Sequence, residues 1–185
     1  IDGTAFHAYG GEKEEMLDIH NAYPLKNLYF TEMSIGSWNY SFEGDLIWSM
    51  RELGIGTLNL FNKAVIVWNL LLDENGSPNR PGGCTTCYGA IEISSSDYAT
   101  LDRKSHYYVI GHLSKTISPG AVRIGYNGFS TDGLIMTAVE NHDGTYGVVM
   151  LNENSNSIKM TLEDGNHSFP FTIPPKSIAS CRWLK

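Results

Sequence analysis

The sequence predicts an α/β segment followed by an all-β domain, because its pattern changes character near residue 90. Before that point, strand-like and helix-like segments alternate, which is typical of a βαβαβ unit with a parallel sheet. After it, short strands follow one another at near-regular spacing with turn residues between them, which indicates an antiparallel β-sandwich. The predicted domains are therefore residues 1–87 and residues 88–185.

The α/β segment is predicted from the periodicity of its apolar residues. The predicted strands are Gly3–Tyr9, Leu28–Met33 and Ala64–Leu71, and the predicted helices are Glu12–Asn21 and Asp45–Leu53, the second continuing to about Leu60. The third strand is apolar on both faces, as strands are in parallel sheets that are covered on both sides. A three-stranded parallel fragment leaves strand edges and faces uncovered, so this segment is expected to be part of a larger α/β domain.

The all-β domain is predicted from seven short strands and one helix, Ser105–Lys115. Asp143-Gly144 is a strong hairpin signal between two of the strands. The predicted strands are Tyr88–Ile93, Ala121–Tyr126, Leu134–Glu140, Tyr146–Asn152, Ile158–Leu162, Ser168–Ile173 and Ser177–Trp183.

Composition excludes several classes of partner. The 185 residues carry a formal net charge of -7, with the acidic residues spread along the chain, which argues against a nucleic-acid or anionic-membrane surface. The longest apolar stretch, residues 63–72, is far too short to span a bilayer.

The three cysteines are Cys84, Cys87 and Cys181. The spacing of Cys84 and Cys87 fits half of a zinc site or a redox motif, but no second such pair supplies the remaining zinc ligands. The pair follows a loop rich in proline and glycine, whereas a thioredoxin-type motif would lie between a strand and a helix. The sequence therefore favours a loop disulfide or two plain thiols.

Glu32 is the leading candidate for a catalytic group, because it ends an apolar strand just before a loop. The loops after the strands of a (β/α)8 barrel build the active face. His7 and Tyr9 end the preceding strand in the same way, and Trp68 and Asn69 end the following one. Considered alone, Glu32 could equally form a surface salt bridge, and His7 could be a core histidine whose hydrogen bonds are satisfied. The convergence of three strand ends favours a site.

Several segments together resemble one known family, glycoside hydrolase family 30, which includes glucosylceramidases, endo-β-1,6-glucanases and xylan-active enzymes. The resemblance runs through the whole chain in the expected order. The segments that carry it are His7–Tyr9, Leu28–Trp38, Val67–Asn79, Tyr107–Lys115 and Pro119–Ile124.

The resemblance implies both a fold and a set of roles. Residues 1–87 would form the C-terminal part of a (β/α)8 barrel, about its sixth to eighth strands, and residues 88–185 the barrel-terminal helix and the β-sandwich. Glu32 would be the nucleophile of a retaining β-glycosidase. The implied substrate-binding residues are His7, Tyr9, Trp38, Trp68 and Asn79, with Trp68 stacking on the sugar. No metal or organic cofactor is implied.

One departure from the family pattern affects activity. Retaining hydrolysis needs two carboxyl groups, a nucleophile and an acid/base. The family's acid/base follows an asparagine in an Asn-Glu-Pro-like motif, which this sequence lacks. Asp73 and Glu74 are interpreted as loop residues rather than substitutes. The chain is therefore expected to be inactive without an N-terminal half of the barrel, which would be its partner.

The resemblance leaves the substrate and the organisation of the protein open. The implied substrate is a carbohydrate, either a β-glucan, a β-glucoside or a glycolipid head group, and the implied location is secreted, periplasmic or cell-surface. Two alternatives to a fragment or nicked chain of such an enzyme remain. The sandwich could act as a non-catalytic carbohydrate-binding module, or the chain could be one subunit of a split two-chain glycosidase.

Overall fold

A computed structural model describes all of residues 1–185, and the chain divides into two compact units, Ile1–Ile110 and Gly111–Lys185. The sequence places its boundary earlier, at residue 88. In the structure, residues 88–110 belong to the first unit, because the strand Ile91–Ile93 pairs in parallel with Leu71–Asp73. No helix has the length and the apolar character that crossing a bilayer requires.

The first unit alternates strands and helices over its first 65 residues, as the sequence predicts, and then consists of short strands. Its elements are β1 (Gly3–His7), α1 (Glu15–Ala22), β2 (Asn27–Glu32), β3 (Ile35–Gly36), α2 (Phe42–Ser49), α3 (Thr57–Asn59), β4 (Asn62–Val65), β5 (Leu71–Asp73), β6 (Cys87–Tyr88), β7 (Ile91–Ile93) and β8 (Leu101–Arg103). A further helix, α4 (Ser105–Thr116), follows and contains the boundary between the units.

The strands β1, β2 and β4 form a parallel sheet with β2 in the middle. Leu28 and Phe30 of β2 are fully buried and pack with Met16 of α1 and with Leu53, so helical residues cover the sheet. Burying side chains of this size stabilises a fold by roughly 1.5–3 kcal/mol each. The predicted strand–helix alternation is confirmed here, and the central strand carries the core of the sheet.

The helical segment after β3 begins at a side-chain cap and ends in a π-helix. Gly44 donates its backbone N–H to the Ser41 hydroxyl, and the backbone N–H of Ser41 donates to the Asp45 carboxylate, which fixes the start of α2. The prediction of a helix here is confirmed, but Met50–Gly56 winds as a π-helix. A Cβ added to Gly56 would lie 2.2 Å from the Arg51 carbonyl oxygen, so glycine permits the i→i+5 approach.

The predicted third strand, Ala64–Leu71, is wrong in extent. The regular strand β4 ends at Val65, and Leu70 is 74% exposed rather than buried between two layers. Beyond Val65 the chain still follows β2, since Ile66 and Trp68 donate backbone N–H groups to Phe30 and Met33, but the register is irregular. The apolar residues 64–71 therefore form the end of β4, an irregular segment that still bonds to β2, and the first residue of β5.

The second unit is an antiparallel β-sandwich, as predicted. A four-stranded sheet in the order β14-β11-β10-β9 faces the hairpin β12–β13. The predicted strand Tyr88–Ile93 is not part of it, because it is split into β6 and β7 of the first unit. The strands are β9 (Val122–Ile124), β10 (Leu134–Glu140), β11 (Thr145–Asn152), β12 (Ile158–Glu163), β13 (Ser168–Ile173) and β14 (Ser177–Leu184).

Hydrogen bonds to side chains fix the turns of the sandwich. In the predicted hairpin between β10 and β11, Gly144 adopts φ +79° and the Asp143 carboxylate accepts from the backbone and hydroxyl of Thr145. Asn152 is fully buried at the end of β11, and its amide donates to the carbonyl oxygens of Asn156, Ile173 and Pro174. These bonds satisfy carbonyl groups that strand pairing leaves free.

The stability of the chain should depend on pH through His106, in α4. Its ring is fully buried and neither ring nitrogen has a hydrogen-bond partner, so burial lowers the pKa of His106 from 6.5 to about 4. As the pH falls, His106 therefore binds a proton at a higher pH in the unfolded chain than in the folded chain. The contribution of His106 is complete above about pH 6.5, is lost as pH falls towards about 4, and amounts to roughly 3 kcal/mol.

Urea unfolding across this pH range, compared between the natural chain and His106→Gln, measures the effect. The variant should lose less free energy of unfolding on acidification. His142→Gln, which changes an exposed histidine, is the matched control and should keep the natural slope. An unchanged slope in His106→Gln would contradict the assignment.

Candidate active site

The candidate site lies where the carboxyl ends of the parallel strands share one edge. His7 ends β1 and Glu32 ends β2, and the register places these two residues opposite each other after an irregularity between Phe6 and His7. Trp68 follows β4 and forms a parallel bridge with Ser34, two residues beyond Glu32. The structure therefore brings three of the predicted strand ends together at one edge.

Glu32 is held by Tyr9, whose hydroxyl also contacts Ser34. The Tyr9 hydroxyl donates a hydrogen bond to Glu32 Oε1 at 3.1 Å and lies 2.9 Å from the Ser34 hydroxyl oxygen. Ser34 was not singled out from the sequence, although it follows Glu32 by two residues. The bond from Tyr9 orients the carboxylate through Oε1 and leaves Oε2 outside it, while the contact with Ser34 orients Tyr9.

The environment keeps Tyr9 protonated. Burial is the largest influence and raises the pKa of Tyr9 above its ordinary value of 10.0. The hydrogen bond to Ser34 works in the opposite direction, whereas the hydrogen bond and the negative charge of Glu32 raise the pKa further. Tyr9 is therefore a hydrogen-bond donor to Glu32 across the physiological range.

His7 is linked to the site through a residue that the sequence analysis did not identify. Its Nε2 lies 3.1 Å from the Thr31 hydroxyl oxygen, and its ring meets the Tyr9 ring edge-on at 6.0 Å between centroids. Thr31 directly precedes Glu32 in β2, and Tyr9 is the hydrogen-bond donor to Glu32. His7 therefore contacts two residues that adjoin Glu32. This arrangement supports Tyr9 from one side.

Trp68 and Asn79 meet at a cavity of about 300 Å³. Trp68 is 44% exposed, so part of its ring surface is open to a ligand. Asn79 lies in the loop between β5 and β6, and its amide donates to the Gly76 carbonyl oxygen at 3.0 Å, which fixes its orientation. The structure therefore brings these two predicted residues together. Asn69 and Arg80 line the same cavity and were not among the predicted binding residues.

Trp38 is not among the residues that line this cavity. Its ring covers Gly36 of β3, where an added Cβ would lie 2.0 Å from the ring and 2.3 Å from the Thr86 carbonyl oxygen. Trp38 is nevertheless 57% exposed. Trp38 is therefore a partly open ring beside the β3–β6 ribbon, and its role in sugar binding stays a prediction.

The loop that carries Asn79 is closed by a disulfide between Cys84 and Cys87, whose Cα atoms are 5.6 Å apart. This is one of the two pairing states that the sequence favours, and Cys181 is free. Cys87 is buried in β6, which pairs with β3 just beyond Glu32. The bridge therefore anchors the loop next to the candidate site. No group of three or more His, Cys, Asp or Glu side chains in the chain could hold a metal ion.

Comparison with known proteins finds similarity to the C-terminal part of glycoside hydrolases. Residues 120–181 match the family model described as the glycosyl hydrolase family 30 beta sandwich domain. The chain therefore resembles the C-terminal part of family 30 glycoside hydrolases, and the predicted resemblance is confirmed.

Curated relatives support this placement. The chain is 28% identical over 191 residues to putative glucosylceramidase 2 of Caenorhabditis elegans, covering 97% of this chain and 36% of that protein. It is 27% identical over 172 residues to endo-1,6-beta-D-glucanase neg1 of Aspergillus fumigatus, covering 88% of this chain and 33% of that protein. The chain spans about a third of the length of these curated relatives.

Solved structures agree with the sequence relatives. The endo-beta1,6-glucanase BT3312 superposes with a TM-score of 0.96 at 51% identity, over 100% of this chain and 42% of that chain. SrfJ from Salmonella typhimurium superposes with a TM-score of 0.87 at 26% identity, over 100% of this chain and 41% of that chain. The fold of the whole chain, including the parallel sheet that carries Glu32, therefore recurs in these structures.

The contact between Tyr9 and Glu32 predicts the direction in which one pKa should change. Glu32→Gln removes the negative charge that disfavours the Tyr9 phenolate, so the pKa of Tyr9 should fall towards 10.0. Titrating phenolate absorbance in the chain and subtracting the curve of Tyr9→Phe isolates Tyr9 from the other tyrosines. Glu43→Gln, an exposed change on α2, should leave the Tyr9 curve in place. A pKa that stays or rises in Glu32→Gln would show that the contact is absent in solution.

Proposed function

We propose that the protein containing this chain is a retaining β-glycosidase and that Glu32 is its nucleophile. The single observation that carries the proposal is the hydrogen-bonded placement of Glu32, held by Tyr9 at the carboxyl edge of a parallel sheet with His7 and Trp68 beside it. In barrel enzymes this edge bears the catalytic groups.

The proposed reaction is a double displacement. A carboxylate oxygen of Glu32 attacks the anomeric carbon, the glycosidic C–O bond breaks, and an acid/base carboxyl protonates the departing oxygen. Water, deprotonated by the same acid/base, then attacks the glycosyl-enzyme and releases the sugar with its configuration retained. Tyr9 orients the attacking carboxylate through its hydrogen bond, and the Trp68 ring stacks on the sugar.

The acid/base is proposed to come from outside these 185 residues. The two carboxyl groups of a retaining enzyme lie about 5–5.5 Å apart. Asp73 is occupied within its loop, accepting from the backbone N–H groups of Asn75 and Ser77, and Glu74 accepts from the backbone and hydroxyl of Ser95. These bonds support the interpretation of both as structural loop residues. The chain alone is therefore expected to be inactive, as the C-terminal part of a barrel that the rest of the protein completes.

The proposed substrate is a β-1,6-linked glucan. The solved structure that is 51% identical to this chain is an endo-beta1,6-glucanase, and a curated relative carries the same activity in its name. Other curated relatives are named glucosylceramidases at 25–28% identity, which favours a β-glucoside but argues less strongly for a glycolipid head group. A secreted, periplasmic or cell-surface location is proposed with this substrate, since a polymer of this kind is met outside the cytoplasm.

Glu32→Gln in the whole protein tests the role of the nucleophile. Loss of the attacking oxygen should lower kcat on an aryl β-glucoside by at least about a thousandfold while the fold is kept. Glu43→Gln is the matched control and should keep the natural rate. Activity of Glu32→Gln within about threefold of the natural enzyme would overturn the assignment.

The product of a rescue reaction gives the stereochemical check. In Glu32→Ala, azide can occupy the space of the missing carboxylate and displace the activated aryloxide directly. A single displacement on a β-glucoside gives an α-glucosyl azide, which NMR distinguishes from the β-anomer. A β-azide would assign Glu32 to the acid/base role instead.

Carbohydrate binding by the β-sandwich is a second candidate, favoured by a cavity of about 310 Å³ within the second unit. Tyr126, Phe129, Tyr146 and Trp183 line it, and Tyr126 is fixed by donating its hydroxyl proton to the Met136 carbonyl oxygen at 3.0 Å. Aromatic rings present flat apolar faces of the kind on which sugars stack.

Affinity electrophoresis of the chain in β-1,6-glucan separates the two candidates. If the sandwich is the binding unit, Tyr126→Ala should abolish retardation and Trp68→Ala should keep it. We expect the reverse, because Trp68 belongs to the proposed catalytic site. Retardation that depends on Tyr126 alone would favour the binding module.

A further inference from the structure

Four exposed aromatic residues of the first unit form a series that leads away from the candidate site. They lie in the loop between β3 and α2, at the start of α2 and in the first turns of α4, and they are Trp38, Phe42, Tyr107 and Tyr108. The last three are 38–45% exposed. Single exposed rings are common on protein surfaces, whereas contiguous apolar patches mark binding surfaces. These four residues are called the aromatic track below.

The rings at the starts of α2 and α4 contact one another edge to face. The ring centroids of Phe42 and Tyr108 are 5.6 Å apart at an angle of 79°, and those of Tyr108 and Tyr107 are 5.3 Å apart at 86°. The Arg103 guanidinium lies 5.4 Å from the centre of the Tyr107 ring. Three rings and one guanidinium therefore form a single surface across two helices.

The aromatic track begins at the edge of the parallel sheet that carries Glu32. The helix α2 follows β2, so its first residue lies towards the edge at which β2 ends. The Trp38 ring covers Gly36 of β3, four residues after Glu32. The track therefore extends the surface of the candidate site outwards, from β3 to the start of α4.

A polar cluster ties the two halves of the track together. The Tyr40 hydroxyl accepts a hydrogen bond from the backbone N–H of Ser105 at 3.0 Å, which joins the loop before α2 to the start of α4. The Lys104 ammonium lies 5.5 Å and 4.6 Å from the centres of the Tyr40 and Tyr88 rings and pairs with Glu92 at 2.6 Å. A surface that is fixed in advance loses little entropy when it binds a ligand.

The chemistry of the track fits a neutral sugar chain. Two exposed charged side chains at the track, Glu43 next to Phe42 and Arg103 over Tyr107, are opposite in sign, so they do not select an ionic partner. Sugar C–H groups pack on aromatic faces, and sugar hydroxyls both donate and accept hydrogen bonds. The rings are turned steeply from one to the next, which suits a flexible chain rather than a flat ribbon. A β-1,6 linkage provides that flexibility, because it adds a rotatable exocyclic bond between sugar units.

We propose that the aromatic track is a surface binding site for polymeric β-1,6-linked glucan, outside the site in which Tyr9 holds Glu32. The rings of the track bind a segment of the polymer beyond the units at the site, which raises the local concentration of linkages to be cleaved. Each ring adds a modest contact, so the track extends the site that contains Trp68 and does not replace it. The inference rests on the proposed function, because it takes β-1,6-glucan as the substrate.

The test compares a polymer and a small substrate in the whole protein. The double variant Phe42→Ala with Tyr108→Ala should lower kcat/KM for polymeric β-1,6-glucan about tenfold and leave an aryl β-glucoside within about twofold, because only the polymer reaches the track. The loss should appear as a raised KM with kcat kept, since these rings touch no reacting atom. Phe42→Tyr with Tyr108→Phe keeps both rings and should keep the natural values.

Tyr23→Ala is the matched control, because Tyr23 is an exposed tyrosine at the end of α1, before the start of β2 and so towards the opposite edge of the sheet. It should keep the natural ratio of the two kcat/KM values. Equal losses on both substrates in the double variant would show that the rings only support the catalytic site. Unchanged kinetics on the polymer would show that the track binds no glucan, as when another part of the protein covers it. Either result overturns the proposal.

Binding distinguishes failure of the track from failure of the proposed function. If the natural protein hydrolyses neither substrate, the proposed function fails, and affinity electrophoresis of the whole protein in polymeric β-1,6-glucan then decides the track separately. An affinity that weakens about tenfold in the double variant and is kept in Tyr23→Ala would support a surface site without catalysis. Retardation that is absent, or equal in the natural protein and both variants, would overturn it.

Discussion

The candidate site depends on the parallel pairing of β1 with β2. Strands that run in the same direction end at the same edge, so a histidine and a glutamate more than twenty residues apart in sequence become opposite neighbours. The register shifts between Phe6 and His7, and the shift sets His7 against Glu32. Tyr9, two residues further on, then reaches the carboxylate. The hydrogen bond from Tyr9 to Glu32, and the part of the raised Tyr9 pKa that comes from Glu32, depend on this pairing.

A second layer of contacts holds the surroundings of that edge in place. The ribbon of β3 and β6 begins three residues after Glu32 and carries Trp38 on its Gly36 face. The same ribbon contains Cys87, whose disulfide closes the loop of Asn79 and Arg80. The loop and the carboxylate therefore share one support, which suits a site whose parts must keep fixed separations.

The sequence predicts the order of the elements and the strand ends at the site because both follow from local patterns. Apolar periodicity identifies β2 and the sandwich strands, and Asp143-Gly144 identifies its hairpin. Three features lie beyond that reasoning. The π-helix at Met50–Gly56 depends on the glycine at position 56, the early end of β4 depends on an irregular register with β2, and the contacts of Thr31 and Ser34 depend on tertiary pairing. The last two arise from groups distant in sequence, and the π-helix arises from the close approach of Gly56 to the Arg51 carbonyl, which a 3.6-residue period does not represent.

The disulfide between Cys84 and Cys87 makes the conformation of the loop depend on the redox state of the compartment. In a reducing compartment thiols stay reduced, and the segment from Asn79 to Cys84 would then be held by hydrogen bonds such as those of Asn79 and Gly83 without the disulfide. Cys87 would remain buried in its strand, so the sheet would keep its form while the loop gained freedom. A preparation from a reducing cytoplasm and one from an oxidising secretory route would share the same secondary structure but differ in how firmly Arg80 faces the cavity.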